Sequence, residues 1–316
     1  MNRRTFITSG GALLATGCAT TAKGTSSPTA DDWALATRNR LTMTVCGLRE
    51  PVKVWIAGDT HLGLHDARDA AFADCYRRMA QWPGDTQAFE KMLADAKADG
   101  VDLLLLVGDQ LSFPTLANVD FLLGALRRGG VPWRYVAGNH DWHFEGDGGS
   151  DPEQRARWIP RRLAALYPDG ANPLCHSTMV KGVRFVMIDD SDYLITREQL
   201  DFWRAESAKG DPTVLAMHIP IWTDGWDARS CLGAPTWGAA IDRYWQIERR
   251  ERWTLRATPE TAAFVESVLS TPNLVGVFTG HIHSFMAARR NGRNMFSVPE
   301  NRKGVRLEVA FSPTCG

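Results

Sequence analysis

Apolar residues gather in short runs rich in Val, Leu and Ile: Val52 to Ala57, Val101 to Val107, Val131 to Ala137, Thr213 to Met217 and Leu274 to Thr279. Runs of this length and composition predict buried strands. Between them lie stretches of helical spacing: Ala67 to Met79, Asp85 to Ala98 before Gly100, Glu198 to Ser207 and Thr261 to Leu269. Phe121 to Leu126 belongs to another helix that stops at Gly129-Gly130. Pro152 to Leu166 is helical with proline in its first turn and Pro168-Asp169-Gly170 after it. Leu41 to Cys46 and Val52 to Ile56, separated by Gly47 to Pro51, predict a β-hairpin. Met179-Val180 and Val183 to Ile188 predict a second one about Lys181-Gly182. Phe285 to Ala288, Met295 to Val298 and Val305 to Phe311 read as a closing antiparallel set. Strands alternating with helices, with hairpins at both ends, predict an α/β fold of two stacked sheets flanked by helices.

Composition adds limits. The 316 residues carry evenly spread strands, which favours one large domain, over residues 36–316. Formal charge is zero, and without residues 1–17 the 36 cationic side chains fall to 34 against 36 acidic ones. Such a balance gives no attraction for a nucleic-acid polymer or an acidic membrane surface. The first 17 residues read as an export signal: Arg3-Arg4, a weakly apolar stretch through Leu13-Leu14, and small residues before Cys18. They resemble a twin-arginine signal peptide ending in a bacterial lipobox, although Ala15 stands where leucine is usual. Residues 18–35 are then anchor and tether, with a lipid on Cys18 as the only membrane contact. Ala19 after that cysteine implies the periplasmic face of the outer membrane. The other five cysteines contain no Cys-x-x-Cys, so zinc-ribbon and thioredoxin-like readings fail. Structural thiols explain them, with one or two disulfides as the alternative in an oxidising compartment.

The residues that follow each apolar run change the picture. In order they are Gly58-Asp59-Thr60-His61, Gly108-Asp109, Gly138-Asn139-His140-Asp141, Met217-His218 and Gly280-His281-Ile282-His283. Five strand ends thus deliver oxygen and imidazole ligands to one rim. Asp59 and His61, two apart, project to the same side of an extended backbone. Imidazole with carboxylate suits zinc, iron or manganese, and the Asn139 amide is a weaker, hard ligand.

As an ordered set, these motifs resemble the calcineurin-like metallophosphoesterase family, over about residues 52–311. The resemblance implies a four-layer αββα sandwich and two divalent or trivalent metal ions (Mn, Fe or Zn). It assigns Asp59, His61, Asp109 and His283 to the first metal, and Asp109, Asn139, His218 and His281 to the second, with Asp109 shared. Metals ~3.5–4 Å apart share a hydroxide that attacks phosphorus in line. Two divalent ions, two aspartates and that hydroxide leave a net positive site for a phosphate oxygen. The resemblance together with adjacency makes His140 the general acid, with Asp141 orienting its ring.

Absences narrow the substrate. Purple acid phosphatases place tyrosine where Ser112 stands, and protein phosphatases resemble Gly-Asn-His-Glu where this chain has Asp141. No length remains for a second, substrate-binding domain. A stand-alone phosphoesterase of a small substrate follows (a nucleotide, lipid or sugar ester), acting on diesters before monoesters. The alternative is an envelope-anchored scaffold that binds metal and is catalytically silent. Between residues 222 and 256, Trp222, Trp226, Trp237, Trp245 and Trp253 interleave with Arg229, Arg243, Arg249, Arg250 and Arg252. They are either a lid over the substrate's organic part or a satellite core with solvated arginines. His65 and His143 lie beside the motifs as loop histidines, and His176 has no evident partner. Asp189-Asp190-Ser191-Asp192 lacks the glycine and distant glutamate of a calcium loop and reads as the polar end of a strand.

Overall fold

The computed structural model describes residues 33–37, 39–79, 83–144, 147–227, 230–234 and 258–314. Its strands form two six-stranded sheets. Across the first, the order is β1 (Trp33–Thr37), β2 (Arg40–Val45), β12 (Leu307–Pro313), β3 (Val52–Ala57), β4 (Leu103–Val107) and β5 (Trp133–Val136). Across the second it is β10 (Met286–Arg290), β11 (Arg293–Ser297), β9 (Leu274–Thr279), β8 (Thr213–Ala216), β7 (Val183–Ile188) and β6 (Cys175–Val180).

Strand β4 shows how the layers arise. All five of its side chains are buried, and successive ones face opposite ways. Leu103, Leu105 and Val107 enter a core shared with Phe185, Met187, Val214 and Phe278 of the second sheet. Leu104 and Leu106 enter another, with Phe89, Met92 and Leu93 of α2 (Thr86–Ala98) and Leu122 and Leu126 of α3 (Leu116–Gly129). A third core joins the second sheet to α5 (Arg197–Ser207) and α6 (Pro259–Ser270) through Leu200, Trp203, Phe264 and Val268. Three cores between four layers make the αββα sandwich. Truncating a side chain such as Leu105 to alanine would cost about 2–5 kcal/mol.

Helix boundaries follow local chemistry. Asp85 caps α2, its Oδ1 accepting from Gln87 N and Ala88 N, and Thr115 caps α3. The amphipathic stretch from Ala67 divides into a 3-10 turn (Ala67–Phe72) and α1 (Ala73–Met79). The stretch from Pro152 is regular only in α4 (Asp151–Trp158); a π turn and a 3-10 turn carry it to Leu166. The hairpin of β6 and β7 turns, as expected, through Lys181 and Gly182, both at positive φ.

Two expected pairings do not form. β2 and β3 are not a hairpin, because β12 lies between them, parallel to β2 and antiparallel to β3. The closing set divides accordingly: β10 and β11 pair in the second sheet while β12 crosses to the first. Alternating Leu307, Val309 and Phe311 fill the core between the sheets, and the six-residue loop after β2 spans the place that β12 takes.

The signal and tether expectations over residues 1–32 lie outside the described residues, as do Trp237, Trp245 and Trp253. Trp226 is buried in the third core, and Trp222 packs at its edge under the Arg290 guanidinium, 5.4 Å from the ring. Those two tryptophans behave as core. Cys46, Cys75, Cys175 and Cys231 are free thiols. No helix among the described residues is long and apolar enough to cross a membrane.

Candidate metal centre

The neighbouring strands β3, β4 and β5 run parallel, as do β8 and β9. Their C-terminal ends open on one rim, where open α/β sheets bind ligands. Asp59 and His61 follow β3, Asp109 follows β4, Asn139 and His140 follow β5, His218 follows β8, and His281 and His283 follow β9. The backbone there is strained. Of nine non-glycine residues at positive φ among those described, five are candidate ligands: Asp59, His61, Asp109, His281 and His283. Each such residue costs on the order of 1–3 kcal/mol, which the surrounding cores must offset. At Asp59 and His61 the backbone is therefore left-handed and not extended as expected.

Glycines let the loops close up. Gly108 has φ +80°, and a Cβ there would sit 2.4 Å from His218 Nδ1. At Gly138 a Cβ would come within 2.2 Å of Asp109 Oδ1. No side chain fits either place.

The polar atoms converge. His61 Nε2 lies 3.1 Å from His283 Nε2, which is 3.3 Å from Asp59 Oδ1. His218 Nε2 lies 3.3 Å from Asp109 Oδ2 and 3.1 Å from Asn139 Oδ1. Asp59, His61 and His283 bring ligand atoms within 4.8 Å of one another, and so do Asp109, His218 and His281. A third group, His61, Asp109 and His140, links these two. Asp59 and Asp109 are 0% and 1% exposed, a costly place for carboxylates without cations.

Electrostatics make this a ligand set. Burial works against the Asp109 charge, but the surrounding imidazoles, His218 first, hold its carboxyl well below the usual range. Asp59 is likewise low: burial raises it, and His283 more than compensates. Burial pushes His61 down to about 4 and His281 down to about 3, so both rings are neutral with a lone pair to give. His218 differs. Burial disfavours its charge, yet Asp109 beside it pushes the ring up to about 10, a proton standing where a cation is called for. Ionised carboxylates, imidazoles and one amide oxygen in two linked groups fit two metal ions, with a cation in place of the His218 proton.

The two sheets are locked together at the site. Asp59 of the first accepts the His281 backbone N–H of the second, at 2.9 Å to Oδ2 and 3.1 Å to Oδ1. Asp109 Oδ1 accepts the His140 backbone N–H at 2.8 Å, which holds that ring over the cluster, its Nε2 4.0 Å from Asp109 Oδ2. Buried Arg155 pairs with Asp189 at 2.7 Å and with Asp192, while Trp142 Nε1 donates to Ser191 Oγ at 2.8 Å. The loop after β7 is thereby tied to the loop after β5.

Asp141 is a correction. Its carboxylate does not orient the His140 ring: Oδ1 accepts from Leu111 N at 2.8 Å and Oδ2 from Gly138 N at 2.7 Å. The turn that bonds Asp141 N to Gly138 O points the side chain inward, so it braces the loops after β4 and β5. Asp190 is its counterpart in the second sheet, its Oδ1 accepting from His218 N at 3.0 Å and Ile219 N at 3.1 Å. Burial pushes each of these carboxyls up to about 7.

Sequence reasoning missed three supports. Asp190 was read only as the end of a strand. Tyr193 places its hydroxyl 2.7 Å from His281 Nε2, and Glu300 places Oε2 3.4 Å from His283 Nδ1. Their spacing carries no motif; the one usable signal was a polar run directly after β7. The remaining histidines sit apart from the groups above. His65 stacks on Tyr76 at 4.6 Å, His143 is buried with its ring 6.2 Å from His140, and His176 Nδ1 meets Asn172 O at 3.1 Å.

Comparison with known proteins agrees with this geometry. The family model for the calcineurin-like phosphoesterase matches residues 52–285. A protein of Fibrobacter succinogenes, named a probable cyclic nucleotide phosphodiesterase, is 22% identical over 263 residues, spanning 82% of this chain and 84% of that one. Among solved structures, a dimetal phosphatase from Danio rerio superposes with a TM-score of 0.51 at 10% identity, over 80% of this chain and 88% of the other. The second likeness is one of fold.

Proposed function

Because the chain belongs to the calcineurin-like phosphoesterase family, we propose that it hydrolyses a small phosphodiester at a dinuclear metal centre, with His140 as general acid. The observation that carries this reading is the meeting of Asp59, His61, Asp109, His218, His281 and His283 in two groups that a third, His61, Asp109 and His140, links. Asp59, His61, Asp109 and His283 would hold one metal, and Asp109, Asn139, His218 and His281 the other. Manganese, iron or zinc suits both sets. When bound, the metals supply Lewis acidity toward a phosphoryl oxygen and acidify water near neutral pH.

The chain's own residues do the rest. Asp109 would be shared, and by accepting the His140 backbone N–H it fixes where the acid stands over the ligand cluster. His140 is the right group in the right place, since its side chain keeps 19% exposure above buried Asp109. As one P–O bond forms to the solvent oxygen and the ester P–O bond breaks, the leaving alkoxide takes the His140 proton. The buried braces Asp141 and Asp190 hold the ligand loops so that little reorganises during the step.

Diesters come before monoesters in this reading. Ser112 in place of a tyrosine separates the site from purple acid phosphatases, and the Fibrobacter relative carries a phosphodiesterase name. The test is hydrolysis of bis(p-nitrophenyl) phosphate against p-nitrophenyl phosphate by metal-stripped protein refilled with Mn²⁺, Zn²⁺ or Fe²⁺. Diester turnover that requires refilling is expected. Preference for the monoester would replace phosphodiesterase with phosphatase, and no turnover of either ester would favour a silent scaffold. The Arg3-Arg4 pair and Cys18 support export with a lipid on that cysteine. Palmitate label should enter the wild-type chain and not Cys18→Ser.

A further inference from the structure

Three of the candidate metal-binding imidazoles bond one ring nitrogen to a group outside the cluster. His218 turns Nδ1 to the Val107 carbonyl at 2.9 Å and Nε2 to Asp109. His283 turns Nδ1 to Glu300 and Nε2 to Asp59. On His281 it is Nε2 that meets an outside group, the Tyr193 hydroxyl at 2.7 Å, while the ring stands in one group with Asp109 and His218. Tyr193 itself is 2% exposed, its ring edge-on to His281 at 5.6 Å. It holds φ +64°, a conformation disfavoured for a bulky side chain. The segment around it is braced on both sides. Tyr193 N donates to Asp190 O at 2.8 Å, and Ile195 N donates to Thr261 Oγ1 at 3.0 Å.

We infer that Tyr193 is a positioning residue of the second metal: its hydroxyl accepts the Nε2–H of His281 and so commits Nδ1 of that ring to coordination. An imidazole offers one lone pair, and the bond at its other nitrogen decides which one. A loop that contributes no ligand therefore sets two of them, Asp190 through the His218 backbone and Tyr193 through the His281 ring. The inference rests on the dinuclear reading above, and the experiment separates the two.

Tyr193→Phe keeps the buried ring and removes only the hydroxyl. Metal-stripped wild-type chain and variant are titrated with Mn²⁺ by calorimetry, and the melting temperature of each stripped protein is recorded. The expected result is two equivalents bound by both, with the weaker-held equivalent of the variant losing ~10–100-fold in affinity. The other equivalent and the metal-free melting temperature stay as in wild type. Unchanged affinities overturn the role of Tyr193. Tighter binding by the variant overturns it too, since the hydroxyl would then be competing with the metal for Nε2. Equal weakening of both equivalents with a lower melting temperature reduces Tyr193 to a packing residue. Wild-type protein that takes up fewer than two equivalents overturns the dinuclear reading, and this inference with it.

Discussion

On the side of His283 the ring is 36% exposed, and its Nδ1 leans on Glu300, itself 44% exposed and paired with Arg302 at 3.1 Å. On the side of His218 the ring has no exposed surface, and its Nδ1 meets a strand carbonyl. Both aspartates are buried, so the groups differ through one histidine each, His283 making a wet half and His218 a dry half. In the dry half, ligand geometry is fixed by backbone, by Asp190 and by Tyr193. In the wet half, one ligand depends on an exposed carboxylate that water and salt weaken. The difference teaches where the cluster meets solvent: at His283 and Glu300, while His218 is enclosed.

The largest expected effect removes the comparison altogether. Asp109→Ala takes away the carboxylate that both halves share, so metal content should fall from two per chain toward none, with activity at background. One metal retained at full affinity would show the halves to be independent.

Next comes His140→Ala, which acts on chemistry and leaves both halves loaded. Turnover of an alkyl diester should fall ~10²–10⁴-fold at unchanged metal content, and a nitrophenyl ester should lose least because its leaving group needs no proton. Metal loss in this variant would make His140 a ligand.

Glu300→Gln sharpens the contrast between the halves. One equivalent should weaken by up to ~10-fold and the other not at all, less than for Tyr193→Phe because Glu300 is exposed. An equal effect on both equivalents would contradict the wet and dry division.

The smallest effect lies outside both halves. Glu206 accepts from Ser177 at 3.0 Å, Arg184 at 2.8 Å and Lys209 at 2.6 Å. Burial raises its carboxyl, and these donors, Lys209 first, outweigh burial and hold it below the ordinary 4.5. A lowered value stabilises the fold above the unfolded pKa, and that gain is lost as pH falls through the folded one. Glu206→Gln should therefore melt slightly lower than wild type at pH 7, and the gap should close as pH falls below 4.5. Both metal affinities should be untouched.

Much of this was legible in the chain because each ligand directly follows an apolar run. A buried strand announces itself by composition, and its first polar residues are where a rim must be. That logic picked out Asp59, His61, Asp109, Asn139, His140, His218, His281 and His283, which the structure gathers at one rim, together with two stacked sheets flanked by helices. It failed where partners are distant in sequence. Tyr193 lies 88 residues before His281, and Asp190 28 before His218, so no spacing joins them. It failed at Asp141 because adjacency to His140 said nothing of a turn that sends the two side chains apart. It failed at β12 because alternation marks a strand without naming its neighbours.

The central claim is a pair of metals shared by two sheets through Asp109. Crystals of the chain soaked in Mn²⁺ and measured for anomalous scattering test it directly. The account predicts two peaks, one bounded by Asp59, His61 and His283, the other by Asn139, His218 and His281, with Asp109 touching both. A single peak, or two that Asp109 does not join, would contradict it.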